Sequence, residues 1–401
     1  MTPEFTARVP TLWHGRGVAR QMTARLTGGR DALVIADSAI TVPFLAGCSV
    51  RTIPVDASSV DVSVVATIAR ELVRRVPEVV VAVGGGSILD ASKIAALTLA
   101  PGRVLDYAIG HASTSALTFL PDAPPPVDIV AVPTTLGTSS ETNSVGVLRN
   151  ESGYRLIVGR SLRPRHAVID PCNLTTLTQA AVREGAMEAF LRLAGASTSS
   201  RRSARANSDA VALGRTLLET VSRDSGSTAG RLRLARVSAA TQRSAALRGG
   251  DPYSARHWYL ANEVAFLLEV RKMVATAAVI AAIWRRICAG DVRWGDRESL
   301  EDFWTRVAGE AMLPLDPPTG ISALIERWGI PLPPQPAARD IARIASATEK
   351  AWGDRRPMLP DLVASDFRDV LRDSCWSPQP VGNDADLRRR VQGEVNADEE
   401  C

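Results

Sequence analysis

Three stretches of this 401-residue chain combine residue types and spacings suited to holding a dinucleotide. Residues 79–93, VVVAVGGGSILDASK, run from a continuous apolar segment through Gly84, Gly85 and Gly86 to Ser87 and then a helical pattern. Glycine lets the backbone approach a pyrophosphate closely, and a helix that starts there aims unpaired N–H groups at the anion. Ser87 adds a hydroxyl donor. Residues 131–148, AVPTTLGTSSETNSVGVL, follow a second buried run and offer a dense series of hydroxyls for a ribose, a phosphate or a carboxamide. Asp37 closes the run DALVIAD, where a carboxylate accepts from a ribose hydroxyl and repels a 2′-phosphate, which favours NAD over NADP. A glycine triplet alone also makes a plain strand-to-helix turn, and an Asp at a strand end is often only a turn residue. The weight lies on the three together.

These residues need a scaffold of short strands and crossover helices, and the first 175 residues are patterned that way. Residues 31–37, 51–56, 78–83 and 128–132 read as strands. Residues 60–76 carry Val64, Ile68, Leu72 and Val76 at helical spacing. Continuous apolar runs suit parallel strands buried on both faces, so the expectation is a doubly wound α/β fold over 1–175. Residues 121–126 are a Pro-rich loop. From about Leu177 the pattern becomes helical, with helices expected over 178–196, 208–221, 231–247, 255–287, 300–311 and 337–352. That makes 176–377 a helical catalytic domain, with the boundary near 173–178. Residues 378–401 are polar and are expected to form a flexible tail.

Composition narrows the function classes. Hydrophobic residues are 45% and charged residues 22%, ordinary for a globular protein and wrong for a disordered or collagen-like chain. A net charge of +4 argues against a dedicated nucleic-acid binder. Of 47 cationic residues, 44 are Arg, scattered through the chain. Residues 197–250 hold ten Arg against Asp209, Glu219 and Asp224, either a surface for an acidic partner or a set of solvated helix faces. Five Cys with no C-x-x-C pair fit a reducing cytosol, and MTPEFTARVP lacks a signal peptide's basic start and apolar core. The longest largely apolar run, 273–284, is too short to cross a bilayer and reads as a buried helix.

GGGSILDASK, PTTLGTSSE (133–141) and RPRHAVIDP (163–171), with HGRG (14–17) and RPMLPDLVASDFRDVLRDS (356–374), resemble the iron-dependent (group III) alcohol dehydrogenases and their relatives in the dehydroquinate synthase-like fold. The resemblance spans roughly residues 10–377. It implies a Rossmann-like nucleotide-binding N-terminal domain, an all-α C-terminal domain and an active site between them. By motif match, Gly85, Gly86, Ser87 and Asp90 would line the pyrophosphate turn, Thr134, Thr135 and Thr138 would flank the cofactor, and Asp37 would sit at the adenosine ribose. Relatives are often dimers or larger, so a homo-oligomer is expected.

The family holds a divalent metal with one Asp and three His, the first pair one helical turn apart and the second pair about fourteen residues apart. Here the first pair falls on Glu188 and Arg192, and the second on His257 and Arg271, with Lys272 alongside. Arginine has no lone pair to give a metal, so a metal-independent site is expected. Arg192 and Arg271 could supply the missing positive charge and fork a substrate carboxylate, or they could merely plug a dead metal site with salt bridges. His257 is the first candidate for the base that takes the alcohol proton, and Lys272 the second. The reading is an NAD-dependent dehydrogenase of a secondary alcohol. Its substrate could be a carboxylate-bearing β-hydroxy acid that then loses carbon dioxide, such as the C-terminal threonine oxidised in daptide-type ribosomal-peptide pathways. The alternatives are a sugar-phosphate cyclase, disfavoured by the GTSSE run and the scarcity of Lys, and a non-catalytic nucleotide-binding partner of another enzyme. No nucleic acid or membrane partner is expected, and a cytoplasmic location is.

Overall fold

The computed structural model describes residues 10–42, 50–248 and 250–378. In chain order the first half comprises β1 (Thr11–His14), α1 (Val18–Thr27), β2 (Ala32–Asp37), β3 (Arg51–Val55), α2 (Val62–Arg74), β4 (Val79–Gly84), α3 (Gly86–Ala96), α4 (Val104–Thr114), β5 (Leu117–Phe119), β6 (Asp128–Pro133), β7 (Val145–Asn150), β8 (Gly153–Val158) and β9 (His166–Ile169). The helical half comprises α5 (Gln179–Ala196), α6 (Ala204–Asp224), α7 (Thr228–Arg243), α8 (His257–Leu267), α9 (Lys272–Cys288), α10 (Arg297–Ala308), α11 (Pro317–Arg327), α12 (Ala338–Trp352) and α13 (Ala364–Arg372).

Six strands form a parallel sheet in the order β1-β9-β6-β4-β2-β3. The central run VVVAVG of β4 is buried at every position, as a strand covered on both faces must be. One face packs Leu33, Ile35 and Val80 against Val65, Ile68 and Leu72 of α2 and Ile88 and Ile94 of α3; the other packs Val34, Val81 and Val130 against Ala19 and Met22 of α1. Register sets Gly84 beside Pro133, so the glycine turn and the hydroxyl-rich loop leave the sheet side by side at its carboxyl edge. A three-stranded sheet, β5-β8-β7, has no counterpart in the sequence expectation: its strands are short, and α3 reaches it where Gly146 lies against Ile94.

Beyond Ile169 the described residues hold no further strand, only helices and one isolated bridge between Pro334 and Ser377. The helical core is built around Phe190, Trp284, Phe303 and Trp304, with edge-on ring contacts of Trp304 to Phe190 and Trp284. Residues 273–284 are indeed a buried helix, and no helix of the described residues is long and apolar enough to cross a membrane. The cysteines Cys172, Cys288 and Cys375 are free. Cys48, Cys401, the N-terminal nine residues and the tail beyond Pro378 lie outside the described residues.

One expectation is corrected. Residues 255–287 are two helices, not one. α8 ends at Leu267; Glu269 takes the left-handed conformation (φ 53°), and the Val270 N–H reaches back to the Ala265 carbonyl at 3.0 Å. That is the closure a left-handed residue makes at a helix end, here without the usual glycine. The break turns the chain and starts α9 at Lys272.

Candidate active site

The glycine turn is tight for stated reasons. A Cβ on Gly86 would lie 2.7 Å from Cγ2 of Thr138, and one on Gly85 would lie 3.2 Å from Cγ2 of Thr135. The adjoining loop leaves no space for a Cβ at Gly86 and little at Gly85, and the start of α3 carries an exposed Ser87. Thr134 is buried and its N–H bonds the Gly84 carbonyl at 3.0 Å, so it clamps loop to turn. Asp37 ends β2 beside β4; its carboxylate accepts the Ala39 N–H at 3.0 Å, and residues 43–49 nearby lie outside the described set.

Asp90 lines the cleft beside Gly86 and Ser87 and also has a structural occupation. It is buried beneath the turn, where its carboxylate accepts from Ser140 Oγ and from the Val147 N–H at 3.0 Å, and pairs with Lys93 Nζ at 2.9 Å. Lys93, 1% exposed, also donates to Ser140 Oγ at 2.7 Å and Asn143 Oδ1 at 3.0 Å. These bonds hold the hydroxyl loop to α3. Sequence reading missed Lys93; a charged residue on an otherwise apolar helix was the available signal.

The same loop meets the helical half through glycines. Gly137 (φ 111°) packs so closely on α5 that a Cβ would lie 2.7 Å from the Gly185 Cα, and a Cβ on Gly185 would lie 2.4 Å from the Leu136 carbonyl. This contact brings Glu188 and Arg192 to the loop. Arg192 donates to Ser139 Oγ (3.2 Å), Thr241 Oγ1 (2.9 Å), the Thr138 carbonyl (3.0 Å) and the Gly137 carbonyl. Four of its five N–H donors are thus engaged by protein, leaving no free fork for a carboxylate. Its charge stays at the site, with Glu188 at 4.0 Å.

Between these walls lies a cleft of about 470 Å³. Gly86, Ser87, Asp90, Thr138, Ser140, Asn143 and Val147 line it from the α/β half, and Glu188, Arg192, Gln242, Trp258, Asn262, Arg271 and Lys272 from the helices. Arg149, Tyr154 and Leu156 line it from β7 and β8. Lys272 Nζ stands 4.8 Å from the Trp258 ring centroid. Removal from water holds this ammonium below the ordinary lysine range, Glu188 opposes that, and Arg192 adds to it. Glu141, buried behind the loop, has its carboxyl pushed up to about 7 by burial.

Two expected site residues are placed differently. His257 is buried, and its Cε1 lies 2.7 Å from where a Cβ on Gly195 would stand, facing α5 and Ala255 rather than the cleft. Burial, then the Lys272 charge, push its pKa down to about 3, so it stays neutral, and its Nε2 has no partner. Arg271 reaches the cleft mouth, but its side chain is 67% exposed and pairs with Glu184 at 2.6 Å. On α8 Trp258 faces the cleft and His257 does not; on α9 both Arg271 and Lys272 line it, Arg271 at the mouth. Sequence reading also missed Trp258, Asn262 and Gln242, which no local motif marks.

Residues 10–171 match the model of the iron-containing alcohol dehydrogenase family. Phosphonoacetaldehyde reductase of Streptomyces viridochromogenes is 36% identical over 188 residues, 46% of this chain and 47% of that one. The probable alcohol dehydrogenase EutG of Salmonella typhimurium is 36% identical over 124 residues, 28% of this chain and 29% of that one. The matched stretches therefore span less than half of these relatives. In structure, the NADH-dependent butanol dehydrogenase A of Thermotoga maritima superposes with a TM-score of 0.74 at 20% identity, covering 90% of this chain and 96% of that one. The iron-containing alcohol dehydrogenase of Thermococcus thioreducens gives 0.71 at 15%, over 91% and 97%. Residues 10–171 carry the sequence match to the iron-containing alcohol dehydrogenase family, and the whole chain carries the fold seen in these solved structures.

Proposed function

We propose that this protein is an NAD-dependent oxidoreductase that interconverts an alcohol and a carbonyl compound, with Lys272 handling the proton and no resident divalent ion. The observation that carries the reading is the pairing, across one cleft, of a glycine cradle at the start of α3 with a half-buried lysine at the start of α9. The cradle suits a dinucleotide: Gly85 and Gly86 leave no room for a side chain, Ser87 is exposed, and the first N–H groups of α3 have no side-chain cap. Asp37 favours NAD over NADP. A nicotinamide held there would accept or deliver the hydride.

The chain's own residues supply the rest. In oxidation, neutral Lys272 takes the hydroxyl proton as the C–H bond yields its hydride; in reduction, the ammonium gives that proton to the carbonyl oxygen. Arg192 and Lys272 place positive charge where the oxygen becomes negative. Trp258 stacks on Lys272 and limits solvent at its nitrogen.

A divalent ion fits these side chains poorly. Glu188 offers oxygen, but Arg192, one turn on, has no lone pair. The facing positions fourteen residues apart are Trp258 and Lys272, an indole and an amine. No group of three His, Cys, Asp or Glu gathers among the described residues. The positive charge has passed from metal to side chains.

For the substrate, we propose a carbonyl or alcohol that carries an anion one carbon away. Arg149 and Arg271 stand at the same cleft as Lys272, and α9 begins there without a side-chain cap. Phosphonoacetaldehyde, in the name of the Streptomyces relative, has this layout: anion, methylene, carbonyl. A β-hydroxy acid has it too. Its oxidation gives a β-keto acid; the bond to the carboxylate then breaks, carbon dioxide leaves, and the electron pair forms an enolate that takes a proton. The C-terminal threonine of a peptide is one such acid. The test follows absorbance of the reduced nicotinamide with short aldehydes, phosphonoacetaldehyde, β-hydroxy acids and threonine-ended peptides, before and after chelator dialysis with elemental analysis. Turnover that survives dialysis, fastest for the anionic substrates, is expected. Stoichiometric iron or zinc with activity lost on dialysis would overturn the metal-free reading, and no turnover of any substrate would overturn the enzymatic one.

A further inference from the structure

On the far side of α7 from the cleft, a second cavity of about 560 Å³ lies between that helix and the end of β1. Ser238, Thr241 and Gln242 turn toward the active site. The opposite face presents Arg233, Arg236 and Arg243, with His14 across from them. No acidic side chain lines this groove. Arg233 shares Glu219 at 3.5 Å, whereas the side chains of Arg236 and Arg243 meet no carboxylate or hydrogen-bond acceptor among the described residues. The Nε of Arg243 is buried and unpartnered. Three guanidinium groups in one groove, two of them unpaired, repel one another and cost stability that a counter-anion would return. The charges of Arg236 and Arg243 also hold the His14 imidazole down, after burial itself.

We propose that this groove binds an acidic peptide segment. Shape and spacing select that ligand over a single small anion. Arg233 and Arg243 are ten residues apart on one helix, so the charged track is about 15 Å long at 1.5 Å per residue. An extended chain covers that length in roughly five residues at about 3.3 Å each. Between the arginines the floor is Leu12, Val237 and Ala240, which suits an apolar residue set between carboxylates. A nucleic acid fits less well: no Phe, Tyr or Trp lines the groove to stack a base. β1 is also an edge strand with no outer neighbour among the described residues, which offers an extended chain backbone groups to pair with.

The test uses the full chain and a fluorescein-labelled six-residue peptide of alternating Glu and Leu, read by fluorescence anisotropy. Controls are the Lys/Leu peptide and a twelve-nucleotide single-stranded RNA. We expect the acidic peptide to bind, the Lys/Leu peptide not to, and the Arg236→Glu/Arg243→Glu variant to lose at least tenfold in affinity while titrating NADH like the parent, which shows that it is folded. Higher salt should weaken peptide binding, since both partners are exposed to solvent. Equal affinity of parent and variant overturns the proposal. RNA that binds more tightly with the same dependence on Arg236 and Arg243 assigns the groove to nucleic acid instead. If the variant only lowers the oligomeric state by sedimentation and neither form binds peptide, the groove is a contact between copies and the proposal fails.

Discussion

Lys272 is acted on by four influences at once: loss of water, the carboxylates of Glu188 and Asp90 and the guanidinium of Arg192, with the net effect of holding its ammonium below the usual lysine range. A proton carrier must change protonation state near working pH, and arginine cannot. Lys272→Met is therefore expected to lower kcat by about 10²–10⁴-fold, the usual worth of a positioned acid or base. Lys272→Arg should fail to restore it despite keeping the charge. Oxidation needs the neutral amine, so its kcat/KM should rise with pH through the lysine pKa, and the reductive direction should fall over the same range. His257→Gln offers the contrast. Its ring is turned away from the cleft and kept neutral, so this variant should shift thermal stability and leave the pH–rate profile in place. A profile that loses its limb in His257→Gln and keeps it in Lys272→Met would return the proton to the histidine.

At the scale of elements, the site is three joints: turn on loop, loop on α5, and the break between α8 and α9. The first is testable by volume alone. Gly86→Ala puts a methyl 2.7 Å from Cγ2 of Thr138, in a helical conformation that alanine otherwise favours. Dinucleotide affinity, read by NADH fluorescence, should fall at least tenfold, and adding Thr138→Ser, which removes that Cγ2, should recover part of it. Undiminished affinity in Gly86→Ala would mean that the turn does not carry the cofactor. This joint was legible in sequence because strand, glycines and helix are contiguous and each announces itself locally. The break at Glu269 was not: apolar residues continue across it, the left-handed position holds Glu rather than Gly, and nothing local separates one helix of 255–287 from two. Arg192 lies at the cleft, where its type suggested a cation, but its use as a clamp on residues 137–139 depends on partners more than fifty residues away. A compositional clue went unused: a chain that spends Arg almost everywhere keeps only three Lys, of which Lys272 lines the cleft and Lys93 is buried behind Ser140, which lines it too.

For the whole molecule, burying carboxyls ties the cleft to the stability of the fold. Glu141 lies behind the hydroxyl loop, and Glu263 lies under Asn262 on α8, where it accepts from Trp352 Nε1 at 2.9 Å with Arg155 at 3.8 Å. Burial pushes both pKa values up to about 7, from near 4.5 in the open chain. The folded protein then holds protons that the unfolded chain has released between those values, so stability falls as pH rises through 7 and is flat above it. Each carboxyl contributes a slope of at most roughly 1.4 kcal/mol per pH unit. His257 works in the opposite direction, since its folded pKa of about 3 costs stability once the pH drops below the unfolded value of 6.5. Histidine opposes this increasingly as the pH nears 6.5, with His14 and His166 also held below their ordinary value, so the carboxyls act most cleanly from pH 8 down to 7. Thermal scans across that range should show Tm rising on acidification, and Glu263→Gln, which keeps an oxygen for Trp352 and removes the ionisation, should take away about half of that slope. A Tm difference between parent and Glu263→Gln that stays constant from pH 8 to 7 would show that Glu263 is ionised in the fold, held by Arg155 more firmly than burial opposes it.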